Sequence, residues 1–256
     1  MKNKNIIKSI MFVLLALLIF SCKENKPRGD EFHWSPDGTK LVMINLESRE
    51  LLLVEVENNK IQNIELIDSY KDHKKRILSH GWAPDGNYIL YSKVVEKHLD
   101  TFIYSIAEKS SICIGQLSGD IKEKSYEIRS NPVWLQNENL VIFPEKLKNN
   151  EMRLVMLTPE GLKKKISHSL KTREMQIQLS PGEDWIAYSI DKQINSPAND
   201  LWRIKKDGSG KQKLYSGKTI SEFNWSPDGK YIALIESETT QKDTLTKLVL
   251  LDIKKA

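Results

Sequence analysis

Five histidines are spread through the 256 residues, and two of them, His33 and His80, stand beside or one residue away from a tryptophan, Trp34 and Trp82. Imidazoles gathered with carboxylates are what a divalent metal or a proton-transfer step requires. Glu31, Glu222 and Asn224 occupy comparable positions before Trp34 and Trp225, so these five residues form one candidate ligand site. The simpler reading is that they are polar residues of inner strands facing water. No metal or other cofactor is expected on this pattern. His73, His98 and His168 lie in lysine-rich or loop-like surroundings and read as solvated.

Other chemistry is sparse. The sequence has no GxSxG elbow, P-loop, GxGxxG, HExxH or paired CxxC. Gly208-Ser209-Gly210 reads as a turn between two outer strands. Lys and Arg number 39 against 34 Asp and Glu; Lys2, Lys4 and Lys8 belong to a removable-looking amino terminus, and without them the balance is 36 to 34. So small an excess gives no general attraction for a phosphate backbone, and no nucleic-acid partner is expected. The runs Lys71–Arg76 and Lys163–Lys165 read as solvated faces, with anionic lipid as the sharper alternative.

The amino terminus has a basic start, an 11-residue apolar run from Ile10 to Phe20, then Ser21 and Cys22. A spanning helix needs roughly 20 apolar residues, so this is an export signal and not a permanent span. Ile19-Phe20-Ser21-Cys22 resembles the lipobox of bacterial lipoproteins. That resemblance implies a signal peptide over 1–21, acylation of Cys22, and a short tether over 22–30. Acyl chains at ~0.8 kcal/mol per buried methylene would hold such a protein on a bilayer. Lys23, in place of an aspartate after the cysteine, favours the outer membrane, facing the periplasm. Cys113, the second cysteine, has no partner for a disulfide and reads as a buried, inert thiol in an alternating strand.

Internal repetition decides the architecture. Trp34-Ser35-Pro36-Asp37-Gly38 recurs as Trp82-Ala83-Pro84-Asp85-Gly86 and as Trp225-Ser226-Pro227-Asp228-Gly229. Degraded copies stand at Trp134-Leu135-Gln136-Asn137-Glu138 and Leu179-Ser180-Pro181-Gly182-Glu183, giving spacings of 48, 52, 45 and 46 residues. Proline presets one corner of a turn, aspartate caps it, and glycine takes the positive φ that follows. Each copy is therefore a hairpin turn between two strands, with a tryptophan large enough to fill the gap between sheets. Apolar stretches follow each turn, such as Tyr88–Tyr91 and Phe102–Ile106. A single sheet of this size cannot bury both faces, whereas a ring of them can. The fold predicted is all-β, a β-propeller of five blades over 31–256, with units starting near 31, 78, 130, 175 and 221. Each blade has four antiparallel strands except the last, which ends after its third.

The repeated WSPDG turn followed by an Ile-Ala-rich strand resembles the WD40-like repeats of the TolB family, over about residues 30–256. TolB itself has an additional amino-terminal α/β domain and six blades. TolB is also soluble, so the anchor comes from the lipobox resemblance at Cys22, and the propeller resemblance adds a non-catalytic scaffold that binds another envelope protein, with Tol-Pal-type or other complex assembly as the model. Related propellers are attached to hydrolases or act as lyases. The alternative is thus a carbohydrate-binding or polysaccharide-processing propeller using the channel mouth near His33 and His80.

Overall fold

Each Pro-Asp-Gly segment closes into a hydrogen-bonded turn. In the first, the Gly38 N–H donates to the Ser35 carbonyl at 2.9 Å, and Gly38 takes a φ of 70°. The Ser35 hydroxyl donates to Asp37 at 2.6 Å, and Asp37 accepts from the Thr39 N–H at 3.0 Å. Ser226 and Asp228 repeat the arrangement, with a hydroxyl-to-carboxylate distance of 2.7 Å. The proline and glycine shape these turns, and the serine and aspartate bind them.

A computed structural model describes residues 32–45, 49–70, 77–95, 98–117, 119–122, 125–128, 131–148, 151–172, 174–191, 198–239 and 243–255. The signal peptide, Cys22, the tether, Glu31, the Lys71–Arg76 run with His73, and the side chain of His98 lie outside the described residues.

Five antiparallel sheets follow one another along the chain. Blade one is β1 (Phe32–Trp34), β2 (Lys40–Asn45), β3 (Glu50–Glu57) and β4 (Lys60–Ser69). Blade two is β5 (Ile77–Trp82), β6 (Tyr88–Val95), β7 (His98–Ser105) and β8 (Ser110–Leu117). A hairpin of β9 (Gly119–Lys122) and β10 (Ser125–Ile128) intervenes. The repeats had not foretold this hairpin, although the longest spacing, 52 residues, falls across it. Blade three is β11 (Val133–Leu135), β12 (Leu140–Lys146) and β13 (Glu151–Leu157), with its fourth position divided between β14 (Lys163–Lys165) and β15 (Leu170–Lys171). Blade four is β16 (Met175–Leu179), β17 (Trp185–Asp191), β18 (Asn199–Lys205) and β19 (Gln212–Ser216). Blade five is β20 (Thr219–Trp225), β21 (Tyr231–Thr239) and β22 (Thr244–Asp252). The five-bladed propeller is the observed fold, and among the described residues its last blade has three strands.

The core lies between blades. Four apolar clusters among the described residues join blades one and two, two and three, three and four, and four and five. The motif tryptophans of units two, three and five face the preceding blade. The Trp82 indole N–H donates to the His33 carbonyl at 2.9 Å, and that of Trp225 to the Gln178 carbonyl at 3.3 Å. Each bond reaches the residue just before the motif's first position in the blade behind. Turns stack in the same order: a Cβ on Gly86 would touch Pro36 at 3.6 Å, and one on Gly229 would touch Pro181 at 3.7 Å.

Cys113 departs from expectation. It is exposed on β8, where alternation turns Ile114 into the core between blades two and three and leaves Cys113 on the opposite face, which no such core covers among the described residues. Partial desolvation still raises its pKa, so it remains a poor nucleophile.

Candidate functional site

The first strands of blades one to four bound a cavity of about 700 Å³ that contains His33, His80, Trp34, Trp82, Trp134 and Glu183. His33 and His80 are therefore brought together, as their positions beside successive motifs required. Glu222 and Asn224 do not reach this cavity. They point from β20 on the far side of blade five, where Asn224 donates to Glu222 at 3.2 Å. His33 and His80 thus stand together, Glu222 and Asn224 stand apart from them, and Glu31 lies outside the described residues.

Most polar groups around the cavity are already bonded to protein. His80 Nε2 lies 2.7 Å from the Ser92 hydroxyl, which lies 2.8 Å from that of Thr101. Ser92 and Thr101 are fully buried. Although some of its surface remains accessible, burial and then the neighbouring His33 push His80 down to about 3, so its ring is neutral at physiological pH. Two atoms break the pattern: His33 Nε2 and Trp134 Nε1 are buried without a hydrogen-bond partner among the described residues. Among the described residues no three His, Cys, Asp or Glu side chains gather to hold a metal ion.

Glu183 is the residue that motif reading passed over. It stands where intact units have glycine, and it takes the left-handed backbone with a φ of 58°. Its side chain, only 6% exposed, accepts from the Gln136 N–H at 2.5 Å, the Asn137 N–H at 3.1 Å and the Asn137 side-chain amide at 2.9 Å. These donors form the other degraded turn, in blade three. The two turns without a complete Pro-Asp-Gly are thus tied to each other by a carboxylate in place of the proline–glycine contact. The loss of glycine beside an acid, one unit after a motif without proline, was the available signal.

Among the described residues the repeat interface has no counterpart between blades five and one. Trp34 is 51% exposed, whereas Trp82 and Trp134 are 8% and 6% exposed. A Cβ on Gly38 would meet nothing within 4 Å. Register places Phe32, Met43, Leu52 and Leu66 in one row and Trp34, Leu41, Val54 and Ile64 in the next, all on the face turned away from blade two. Of these, Phe32, Trp34, Ile64 and Leu66 are each more than half exposed. The tryptophan that elsewhere closes an interface here lies on an open apolar face.

The basic strand β14 is only partly free for an anionic surface. Lys163 bonds the buried Glu145 at 2.6 Å, and Arg153 meets the same carboxylate at 2.6 Å. Lys164 and Lys165 are exposed.

The chain matches no protein-family model, and no curated protein matches it. Among solved structures it is similar to TolB from Acinetobacter baumannii, at 16% identity and a TM-score of 0.50, covering 84% of this chain and 50% of that one. The fold is that of a TolB-like propeller. A putative TolB from Agrobacterium tumefaciens aligns at 15% identity and a TM-score of 0.50, over 88% of this chain and 76% of that one. An oligogalacturonate lyase in complex with manganese aligns at 13% identity and a TM-score of 0.55, over 90% of this chain and 64% of that one. The chain spans half the length of the Acinetobacter TolB and about two thirds of the lyase.

Proposed function

We propose that the chain is a non-catalytic, lipid-anchored scaffold of the bacterial cell envelope, held by an acylated Cys22 on the outer membrane and facing the periplasm, where its propeller binds another envelope protein. The open face of blade one carries this reading. It is a continuous two-row apolar surface with Phe32, Trp34, Ile64 and Leu66 exposed. Contiguous apolar surface of this kind on a soluble-facing domain marks a protein contact. The cavity supports the same reading from the other side, because Glu183, the acid within it, spends its oxygens on the blade-three turn. The likeness to TolB is one of fold and adds an envelope precedent only.

In-cell crosslinking, affinity purification and mass spectrometry test the proposal. A reproducible envelope partner is expected, lost in Ile64→Lys and Leu66→Lys while the protein stays folded. Cys22→Ala should leave the membrane fraction. A partner retained by both lysine variants would refute docking on blade one.

A second reading rests on the unpaired His33 Nε2 and Trp134 Nε1 beside three tryptophans in one cavity. Aromatic walls with a few free polar atoms suit a carbohydrate. Calorimetry with neutral and uronic-acid oligosaccharides separates the two: heat lost in His33→Ala supports this site, and no heat removes it.

A further inference from the structure

In four blades a fourth strand pairs with the third, but among the described residues nothing pairs with the outer edge of β22. This edge strand runs for nine residues, Thr244–Asp252. Leu245, Leu248 and Leu250 are 63%, 74% and 65% exposed along it. Long apolar edges present unpaired backbone groups to any extended chain, and native proteins pair, cover or charge them. A single lysine, Lys247, interrupts this one.

We propose that β22 pairs with β22 of a second copy of the chain, antiparallel about a two-fold axis at Val249, so that blade five of each copy becomes half of a six-stranded sheet. The inference goes beyond the scaffold reading and uses a different surface.

Symmetry and charge select both the occupant and the register. A two-fold perpendicular to the sheet opposes residues of the same face, and antiparallel partners sit directly across from each other. Centred on Val249, the pairing sets Leu248 of each copy against Leu250 of the other. Four exposed leucines then meet on the face that also holds Ile235 and Ala233, their partners in β21. Thr246 opposes Asp252, a hydroxyl against a carboxylate. Asp243 is brought toward the basic Lys254 and Lys255 of the other copy. Moving the axis to Lys247 would oppose two lysines, and moving it to Leu250 would oppose Asp252 and Leu248. Centring on Leu248 would set Leu250 against Thr246. In the Val249 register Lys247 faces Leu251 on the opposite side of the sheet, and that register is the one that sets the two most exposed leucines of the strand, Leu248 and Leu250, against each other.

Full-length protein in detergent should sediment with the protein mass of two chains at micromolar concentration. Leu248→Lys, at a solvent-facing position, should halve that mass with an unchanged circular dichroism spectrum. Val249→Cys in a Cys113→Ser background should give an interchain disulfide on mild oxidation. Directly opposed residues lie ~4.5–5.5 Å apart between Cα atoms, within disulfide range. Thr246→Cys, which opposes Asp252, should not crosslink, and neither should the Cys113→Ser parent. One-chain mass for the native protein, or absence of the Val249→Cys crosslink in folded protein, overturns the proposal. A two-chain mass that survives Leu248→Lys does the same, since the copies would then meet elsewhere.

Discussion

Glu183→Ala and Glu183→Gly together measure how the two degraded turns are held. The carboxylate accepts three hydrogen bonds from Gln136 and Asn137 across the blade three–four boundary, and the residue sits at a φ of 58°. Hydrogen bonds to a charged group contribute about 1.5–3 kcal/mol each, but these three share one carboxylate and are not additive. Gln136 and Asn137 are exposed, so water replaces part of what is lost. Alanine should therefore destabilise by about 3 kcal/mol, or roughly 6–12 °C in Tm for a domain of this size. Glycine loses the same bonds but relieves the Cβ clash of the left-handed backbone, worth about 1–2 kcal/mol, and returns about half of that to unfolded-chain entropy. Its cost should be about 2 kcal/mol, with the glycine variant the more stable of the pair. Urea denaturation gives the difference from midpoints at a common slope, and hydrogen exchange should quicken at the amides of residues 136 and 137. An alanine variant within about 0.5 kcal/mol of the native protein would show that the tie holds nothing, being inside the range of an ordinary surface change. Alanine more stable than glycine would refute the strain argument.

Three further outcomes follow from the same structure. The Ser35 hydroxyl and then the Thr39 N–H hold the Asp37 carboxyl at about 2, and the Ser226 hydroxyl and then the Lys230 N–H do the same for Asp228. Folded values below the ordinary 3.8 mean that the turns contribute fully above about pH 4 and lose that contribution as pH falls towards 2, so Asp37→Asn plus Asp228→Asn should flatten acid denaturation in that window. His80 acts at higher pH from a different cause, burial of its ring and then the neighbouring His33: folded at about 3 and unfolded at 6.5, it takes up a proton on unfolding between those values. Stability should thus be complete above pH 6.5 and decline steadily below it, with His80→Gln removing the slope in denaturation midpoints measured from pH 7 to 4. Gly208 has a φ of 90°, and a Cβ there would lie 2.5 Å from the Ile166 carbonyl oxygen. Gly208→Ala should lower stability by about 2 kcal/mol or more in urea denaturation, since both the backbone angle and the contact oppose the methyl.

Turn chemistry made the blades legible. Proline, aspartate and glycine act on their own neighbours, so Pro36-Asp37-Gly38 declares its turn wherever it occurs, and five spaced copies declare a ring. The split fourth strand at Lys163–Lys165 and Leu170–Lys171 and the inserted Gly119–Ile128 hairpin carry no such local signature. Cys113 was misplaced for a related reason. Alternation tells which side of a strand a residue takes, but not whether another sheet lies on that side.

The candidate site divides along the same line. That His33 and His80 share a neighbourhood was determined by the sequence, because equivalent positions in consecutive repeats must stack. Whether blade five would join them depended on the closing of the ring, and that rests on contacts between residues nearly two hundred positions apart. Trp34 and Trp82 each open a motif ending in Pro-Asp-Gly, yet one is 51% exposed and the other 8%. Local sequence fixes backbone turns and strand faces because those energies act over a few residues. Burial is a property of what lies opposite, so only the tertiary arrangement decided which tryptophan closes an interface and which one opens a surface.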